Sequence, residues 1–241
     1  MKILWLRLWK LTFIFNKRFG RRILKLFVFP SVEHKKTINK LDYDVLIDVG
    51  ANRGQFSMLS QILRPTVPVY AFEPLFSEIT VYKEIFSECE GVTVFQYAIG
   101  DVDESRVINV SKSPDSSSVL PISQLQSRIF PGTEKIDSQK VEIRKLSSFM
   151  SCWTGFEKIL LKIDVQGFEY QVLVGIGEYI GQFKYIYVET SGVELYLGQK
   201  LFPEIALYLE NSGFVMVGCF NEITIDGAFG QADVLFVNRR F

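Results

Sequence analysis

Histidine and cysteine are scarce in this chain of 241 residues: one histidine, His34, and three cysteines, Cys89, Cys152 and Cys219. An odd, scattered set of thiols with no C-x-x-C pair predicts neither a disulfide framework nor a zinc site. A reducing cytosol is the simplest setting. His34 stands in a polar stretch and is read as solvated. Any general base in the main domain must then be Asp, Glu, Lys or Tyr. Net charge is absent too: 27 Lys/Arg offset 27 Asp/Glu, so no nucleic-acid partner is expected. No stretch approaches ~18 uncharged apolar residues, which argues against a membrane span. Arg7 and Lys10 interrupt the first apolar run, which argues against a signal peptide.

What is present suits a folded globular protein, with 48% hydrophobic and 22% charged residues. The charge is unevenly spread. Residues 1–30 hold eight of the 27 basic side chains and no acid, leaving 19 basic against 27 acidic in the rest. At 100° per residue, Arg7, Lys10, Lys17, Arg18, Arg21, Arg22 and Lys25 fall within an arc of about 140°. Trp5, Leu8, Trp9, Phe15, Phe19, Ile23, Leu26 and Phe27 take the opposite face. Two readings fit this basic amphipathic helix: a peripheral anchor at the inner face of a membrane, or a helix packed on the main domain. The chain divides into a helical extension over residues 1–40 and one domain over residues 41–241.

Strand-like and helix-like segments then alternate. Strands are predicted over 45–49, 67–72 and 92–98, with helices over 54–63 and 76–87. After an irregular polar stretch come a strand over 158–163, a helix over 168–176, a strand over 183–188 and a helix over 202–212. Two last strands, 214–219 and 233–238, read as a hairpin with a long connection. This rhythm predicts an α/β fold with a mostly parallel sheet covered by helices on both faces. Residues 101–140, with candidate flanking strands at 107–110 and 141–144, read as an insertion over the carboxyl edge of that sheet, where loops shape substrate sites.

The chemistry concentrates where the first two strands end. Asp48-Val49-Gly50-Ala51-Asn52-Arg53-Gly54 follows an apolar run, and Glu73-Pro74 ends the next one. A dinucleotide fold needs G-x-G-x-x-G to cradle a pyrophosphate; the spacing here is Gly50-x-x-x-Gly54. Such a turn can instead hold a zwitterionic amino-acid tail, with Asp48 accepting from its ammonium or fixing the loop. Helix N–H groups after Gly54 can face its carboxylate. Glu73 can accept hydrogen bonds from both hydroxyls of a ribose. S-adenosylmethionine has that tail and no pyrophosphate.

The blocks Asp48 to Ser57, Phe72-Glu73-Pro74, Ala98-Ile99-Gly100-Asp101, Ser116-Ser117-Ser118 and Leu161 to Glu169 resemble FkbM-type methyltransferases, from about Tyr43 to the carboxyl terminus. The resemblance implies a class I Rossmann-like fold with a seven-stranded sheet whose last strand is antiparallel. It implies S-adenosylmethionine as methyl donor and a hydroxyl oxygen, such as that of a sugar in a glycan or glycolipid, as acceptor. It places Asp48, Gly50, Asn52, Gly54 and Glu73 on the cofactor, with Tyr97 and Ala98 near the adenine. Gln166 stands where many members carry glutamate, so no carboxylate role transfers to 166.

Methyl transfer to a hydroxyl needs aligned reactants and a proton acceptor. Asp164 is the first candidate base and Glu189 the second, with Lys162 beside them. Lys162 and Asp164 are two apart and share one side of a strand, so a purely structural ion pair is the alternative. Ser117 and Ser118, with Ser116, are candidate binders of acceptor hydroxyls, and Glu169 a further acceptor-side residue. No metal centre is predicted, although three carboxylates at one edge could hold Mg²⁺. Two other functions compete: an NAD-dependent nucleotide-sugar enzyme, and a non-catalytic membrane-attached module of the same fold.

Overall fold

The computed structural model describes residues 12–241. The main sheet is built from β1 (Val45–Val49), β2 (Val69–Phe72), β3 (Val92–Phe95), β7 (Ile159–Ile163), β8 (Phe183–Ser191), β9 (Phe214–Ile225) and β10 (Ala228–Asn238). Their spatial order is β3-β2-β1-β7-β8-β10-β9. Every pairing from β3 to β8 is parallel; β10 runs antiparallel to both neighbours. This is the predicted class I Rossmann-like arrangement, with its antiparallel strand inserted one place in from the edge.

Period-two alternation explains the two cores. Val45, Ile47 and Val49 face one side, in a cluster with Phe72, Leu161, Ile163 and Trp153. Leu46 faces the other side with Val69, Ala71, Leu160 and Tyr187. All five residues of β1 and of β7 are buried, as expected for central parallel strands covered on both faces. A short α2 (Lys35–Ile38) precedes β1; the helices α3 (Gln55–Leu63) and α4 (Phe76–Ile85) follow β1 and β2, while α6 (Glu169–Ile176) and α7 (Phe202–Asn211) follow β7 and β8.

Residues 101–140 do not sit loose. Strands β5 (Glu104–Ser111) and β6 (Lys135–Arg144) pair antiparallel, and short β4 (Ala98–Ile99) joins β6 in a separate three-stranded sheet. A short helix, α5 (Gln124–Ile129), is capped by Ser123, whose Oγ accepts from the Gln126 N–H at 3.1 Å.

Two expectations fail. The last hairpin has no long connection: Ile225 pairs with Ala228 across a two-residue turn. Asp226 and Gly227 both have positive φ, 51° and 81°, as the tight Asp-Gly hairpin turn requires. The amino-terminal segment is also not one continuous helix. Within the described residues it is a 3₁₀ turn at Phe13–Phe15 and a two-turn helix, α1 (Gly20–Leu26), broken between them at Asn16, whose Oδ1 accepts the Arg18 and Phe19 N–H groups.

Helix α1 packs on the domain. Phe19 and Ile23 are fully buried. Arg22 pairs with Glu88 at 2.6 Å, and Lys25 with Glu84 at 2.5 Å. The expected apolar face is thereby split, because Phe15 and Phe27 stay 87% and 77% exposed. Expected helix residues 1–11 lie outside the described residues. Among the described residues no helix is long and apolar enough to cross a membrane.

Candidate functional site

The carboxyl ends of β1, β7 and β8 carry a row of charged side chains on one face of the sheet. Asp48 sits beside Lys162 in register, and Lys162 beside Tyr187. Lys162 lies 3.3 Å from Asp48 Oδ1 and 3.4 Å from Asp164 Oδ2, and its ammonium donates to the Gly50 carbonyl at 3.0 Å. Burial opposes the charge on Lys162, but Asp164 and Asp48 outweigh it and keep the ammonium protonated. Asp48 is fully buried and accepts from Ser57 Oγ at 2.6 Å, which in turn accepts from Tyr82 at 2.9 Å.

This buried network fixes the turn after β1. Gly50 has φ +78°, and a Cβ there would lie 1.7 Å from the Asp164 carbonyl oxygen. The turn rests on Glu73, just after β2, which is only 5% exposed. Its Oε2 accepts the Asn52 N–H at 2.9 Å and its Oε1 the Leu75 N–H at 2.8 Å. Burial pushes its pKa up to about 7, against the pull of these two amides.

Glu73 lines a cavity of about 330 Å³. Its apolar lining includes Leu75, Tyr97, Ala98, Ile99 and Phe168; its polar lining includes Asn52, Gln55, His34, Ser31, Lys162 and Asp164. A second cavity of about 350 Å³ is lined by ten residues, of which only Phe130 is apolar. Asp115, Asp164 and Gln166 line both.

Gln166 governs that junction. It holds φ +58°, a costly conformation for a glutamine, which marks a place where the surroundings over-determine the backbone. Its Nε2 donates to Asp164 Oδ1 at 2.7 Å and to Glu189 Oε2 at 2.8 Å, and its Oε1 accepts from Tyr196 at 2.6 Å. Burial would raise Asp164, but the Lys162 charge outweighs it, with help from the Gln166 amide, and holds the carboxyl below its usual range. Glu189 goes the opposite way: burial, then the charges of Asp164 and Asp233, push it well above the usual range. Two neighbouring carboxyl groups with opposed shifts form a proton-holding pair at the junction of the cavities.

The structure sorts the predicted site residues. Gly50, Asn52, Glu73, Tyr97, Ala98, Lys162 and Asp164 line the first cavity, as does Ser117, and Glu189 lines the second. Four others do not line either cavity. Asp48 lies beneath the turn in its buried ion pair. Gly54 has φ +88° and packs against the rings of Tyr82 and Phe86, where any Cβ would collide. Ser118, expected at the acceptor, instead donates to the Gln166 carbonyl at 2.6 Å and accepts from the Leu120 N–H at 3.0 Å. Glu169, expected on the acceptor side, accepts the Val165 and Gly167 N–H groups at 3.2 and 3.0 Å; burial lifts its pKa to about 7. These four hold the loops that present the others.

His34 corrects a further expectation. It is not a solvated loop residue. Its ring stands edge-on to Phe56 and Tyr187, and it lines the first cavity. Sequence reading missed it with Ser31, Asp115, Gln126 and Gln231, none of which sits in a recognisable pattern. The one available signal was that His34 has no second copy anywhere in the chain. Among the described residues no three His, Cys, Asp or Glu side chains are grouped to hold a metal ion.

The donor set fits S-adenosylmethionine. Each Glu73 oxygen accepts one backbone amide and keeps a lone pair for a ribose hydroxyl. The apolar lining suits an adenine, and the polar lining includes a buried Ser31 hydroxyl without a partner.

The methyltransferase FkbM domain matches residues 48–216. The chain is 28% identical over 184 residues to 2-O-methyltransferase NoeI of Sinorhizobium fredii (strain NBRC 101917 / NGR234), covering 69% of this chain and 72% of that protein. It is 23% identical over 206 residues to Methyltransferase 1 of Beauveria bassiana (strain ARSEF 2860), covering 76% and 80%. Among solved structures, Aeropyrum pernix fibrillarin with bound S-adenosyl-L-methionine matches at 10% identity and a TM-score of 0.47, covering 83% of this chain and 68% of that one.

Proposed function

This chain belongs to the FkbM methyltransferase domain family, and from that premise we propose that it methylates a hydroxyl oxygen of a sugar, within a glycan or glycolipid. It is a methyltransferase, and S-adenosylmethionine is its donor. The NAD-dependent and non-catalytic readings are set aside on that membership.

The observation that carries the sugar reading is the second cavity. Side chains of Ser, Asp, Gln, Thr and Glu make up nine of its ten lining residues, and it meets the donor cavity at Asp164 and Gln166. A polyhydroxylated acceptor satisfies such a surface, whereas an apolar one would leave its polar groups unpaired. The name of NoeI, a 2-O-methyltransferase, is in keeping with an oxygen acceptor.

The donor supplies an electrophilic methyl group on a sulfonium. Asp164, kept ionised by Lys162, orients the acceptor hydroxyl and takes its proton as the oxygen–carbon bond forms and the sulfur–carbon bond breaks. Gln166 fixes the carboxylate by its 2.7 Å hydrogen bond. Burial and the Asp164 charge push Glu189 well above the usual carboxylate range, which disfavours a second negative charge beside the base.

Labelled methyl transfer to a panel of sugars and glycolipids, read by mass spectrometry, tests the proposal. Asp164→Asn should lower kcat by about 10²–10⁴-fold while leaving the Kd for S-adenosylhomocysteine within about threefold. Labelling of nitrogen or sulfur acceptors alone would refute the hydroxyl assignment.

Of the two readings of the amino terminus, the packed helix describes α1, and we propose in addition that this cytosolic protein meets the inner face of a membrane through the exposed side of the same segment. It is supported by the eight basic residues among 1–30 and by exposed Phe15, Leu24 and Phe27. Flotation on anionic vesicles should weaken in Phe15→Ser/Phe27→Ser; equal flotation would dismiss the anchor. Truncation at residue 30 is the wrong test, since Phe19 and Ile23 belong to the core.

A further inference from the structure

Part of the donor cavity's wall is a strap, residues 29–34, that precedes the family-matched segment 48–216. The strap is tied to the start of α3, where the Ser31 N–H donates to the Gln55 carbonyl at 3.1 Å. Phe29, Ser31, Glu33 and His34 line the cavity. Two details of this wall call for a ligand. Ser31 is 8% exposed, and its Oγ has no hydrogen-bond partner; a buried hydroxyl left that way is costly. His34 is oriented through one ring nitrogen only. Its Nδ1 lies 3.0 Å from the Tyr187 hydroxyl, 3.2 Å from Asn221 Nδ2 and 3.4 Å from Asp233 Oδ2. No hydrogen bond engages Nε2 among the described residues.

Asn221 Nδ2 can only donate, so Nδ1 accepts and the neutral ring carries its hydrogen on Nε2, which donates. The strap thus offers two donors, one buried and unpaired and one held in place from behind. They stand beside Gln55 and Phe56, at the start of α3 and next to the turn after β1. We infer that Ser31 and His34 bind the amino-acid carboxylate of the methyl donor. This rests on the S-adenosylmethionine reading of the cavity. Glu33 lines the same cavity and suits the ammonium of the same zwitterion. The tail is then gripped by a segment outside the turn that follows β1, and the strap covers the donor once bound.

Calorimetry on the full chain tests this with S-adenosylhomocysteine and its decarboxylated analogue, S-adenosyl-3-thiopropylamine. The wild-type protein should prefer the carboxylate-bearing ligand by at least about tenfold, as charge-assisted hydrogen bonds dictate. In Ser31→Ala/His34→Gln the ratio of the two Kd values should fall to within about threefold of unity. Structural damage to the strap would weaken both ligands together and leave the ratio unchanged, which would overturn the assignment. So would a wild-type protein that binds both ligands equally. A wild-type protein that binds neither would bring down the donor reading itself, and the carboxylate site with it.

Discussion

Replacing Glu73 with glutamine isolates the energetic consequence of placing an acid where the first two strands end. The carboxyl is buried, and its pKa rises from the usual 4.5 to about 7. The folded state therefore holds the proton more tightly than the unfolded chain. Below pH ~4.5 both states are protonated and the group contributes no pH-dependent term. Between pH 4.5 and 7 the unfolded chain loses its proton first, so stability falls as pH rises. At ~1.4 kcal/mol per pH unit the accumulated loss reaches about 3 kcal/mol by pH 8. The glutamine of Glu73→Gln has no proton to lose, although its amide cannot accept from both the Asn52 and Leu75 N–H groups, a fixed cost of about 1–3 kcal/mol. Urea unfolding of both proteins between pH 5 and 8 reads the difference. The variant should be the less stable at pH 5, and its deficit should shrink or reverse by pH 8, a relative change of about 3 kcal/mol. A stability difference that stays flat with pH would refute the reasoning. The same ionisation controls the ligand: hydroxyls of a ribose donate best to the carboxylate, so affinity for S-adenosylhomocysteine should rise roughly tenfold from pH 6 to 8 in the wild type and stay flat in the variant.

Lys162→Met removes the only cation among the described residues in direct contact with fully buried Asp48 and should cost about 3–5 kcal/mol, measured by chemical denaturation; a loss under about 1 kcal/mol would show that Ser57 alone satisfies that carboxylate. Gly50→Ala places a methyl group against the Asp164 carbonyl at a positive φ, and should abolish soluble expression or donor binding. A Gly50→Ala protein with wild-type Kd for S-adenosylhomocysteine would mean that the turn is not rigid.

The parallel core was legible because β1, β2 and β7 are apolar runs interrupted only by Asp48 and Lys162, and a strand buried on both faces must be so written. The turn from Asp48 to Gly54 and the lone acid at Glu73 were legible for a similar reason: small residues and a strand-end carboxylate are demanded by backbone geometry and by the hydroxyls to be bound. What local pattern could not show was which of two polar neighbours turns inward. Ser117 lines the cavity and Ser118 does not, because Ser118 ties the insertion to the Gln166 carbonyl across 48 residues. Glu169 looked like an acceptor-side acid, yet its carboxylate is spent on two amides of its own loop. His34 was misread because burial of a lone histidine depends on Tyr187 and Asp233, more than 150 residues away in the chain. The two-residue Asp226-Gly227 turn, by contrast, was legible in principle, and overlooking it shortened β9 and β10.

A crystal structure of the protein with S-adenosylhomocysteine tests the central claim most directly. The ribose hydroxyls should lie within hydrogen-bond distance of the two Glu73 oxygens, with the sulfur facing Asp164 at the junction of the two cavities. A ligand bound with its ribose away from Glu73, or a cavity that stays empty at saturating ligand, would contradict it.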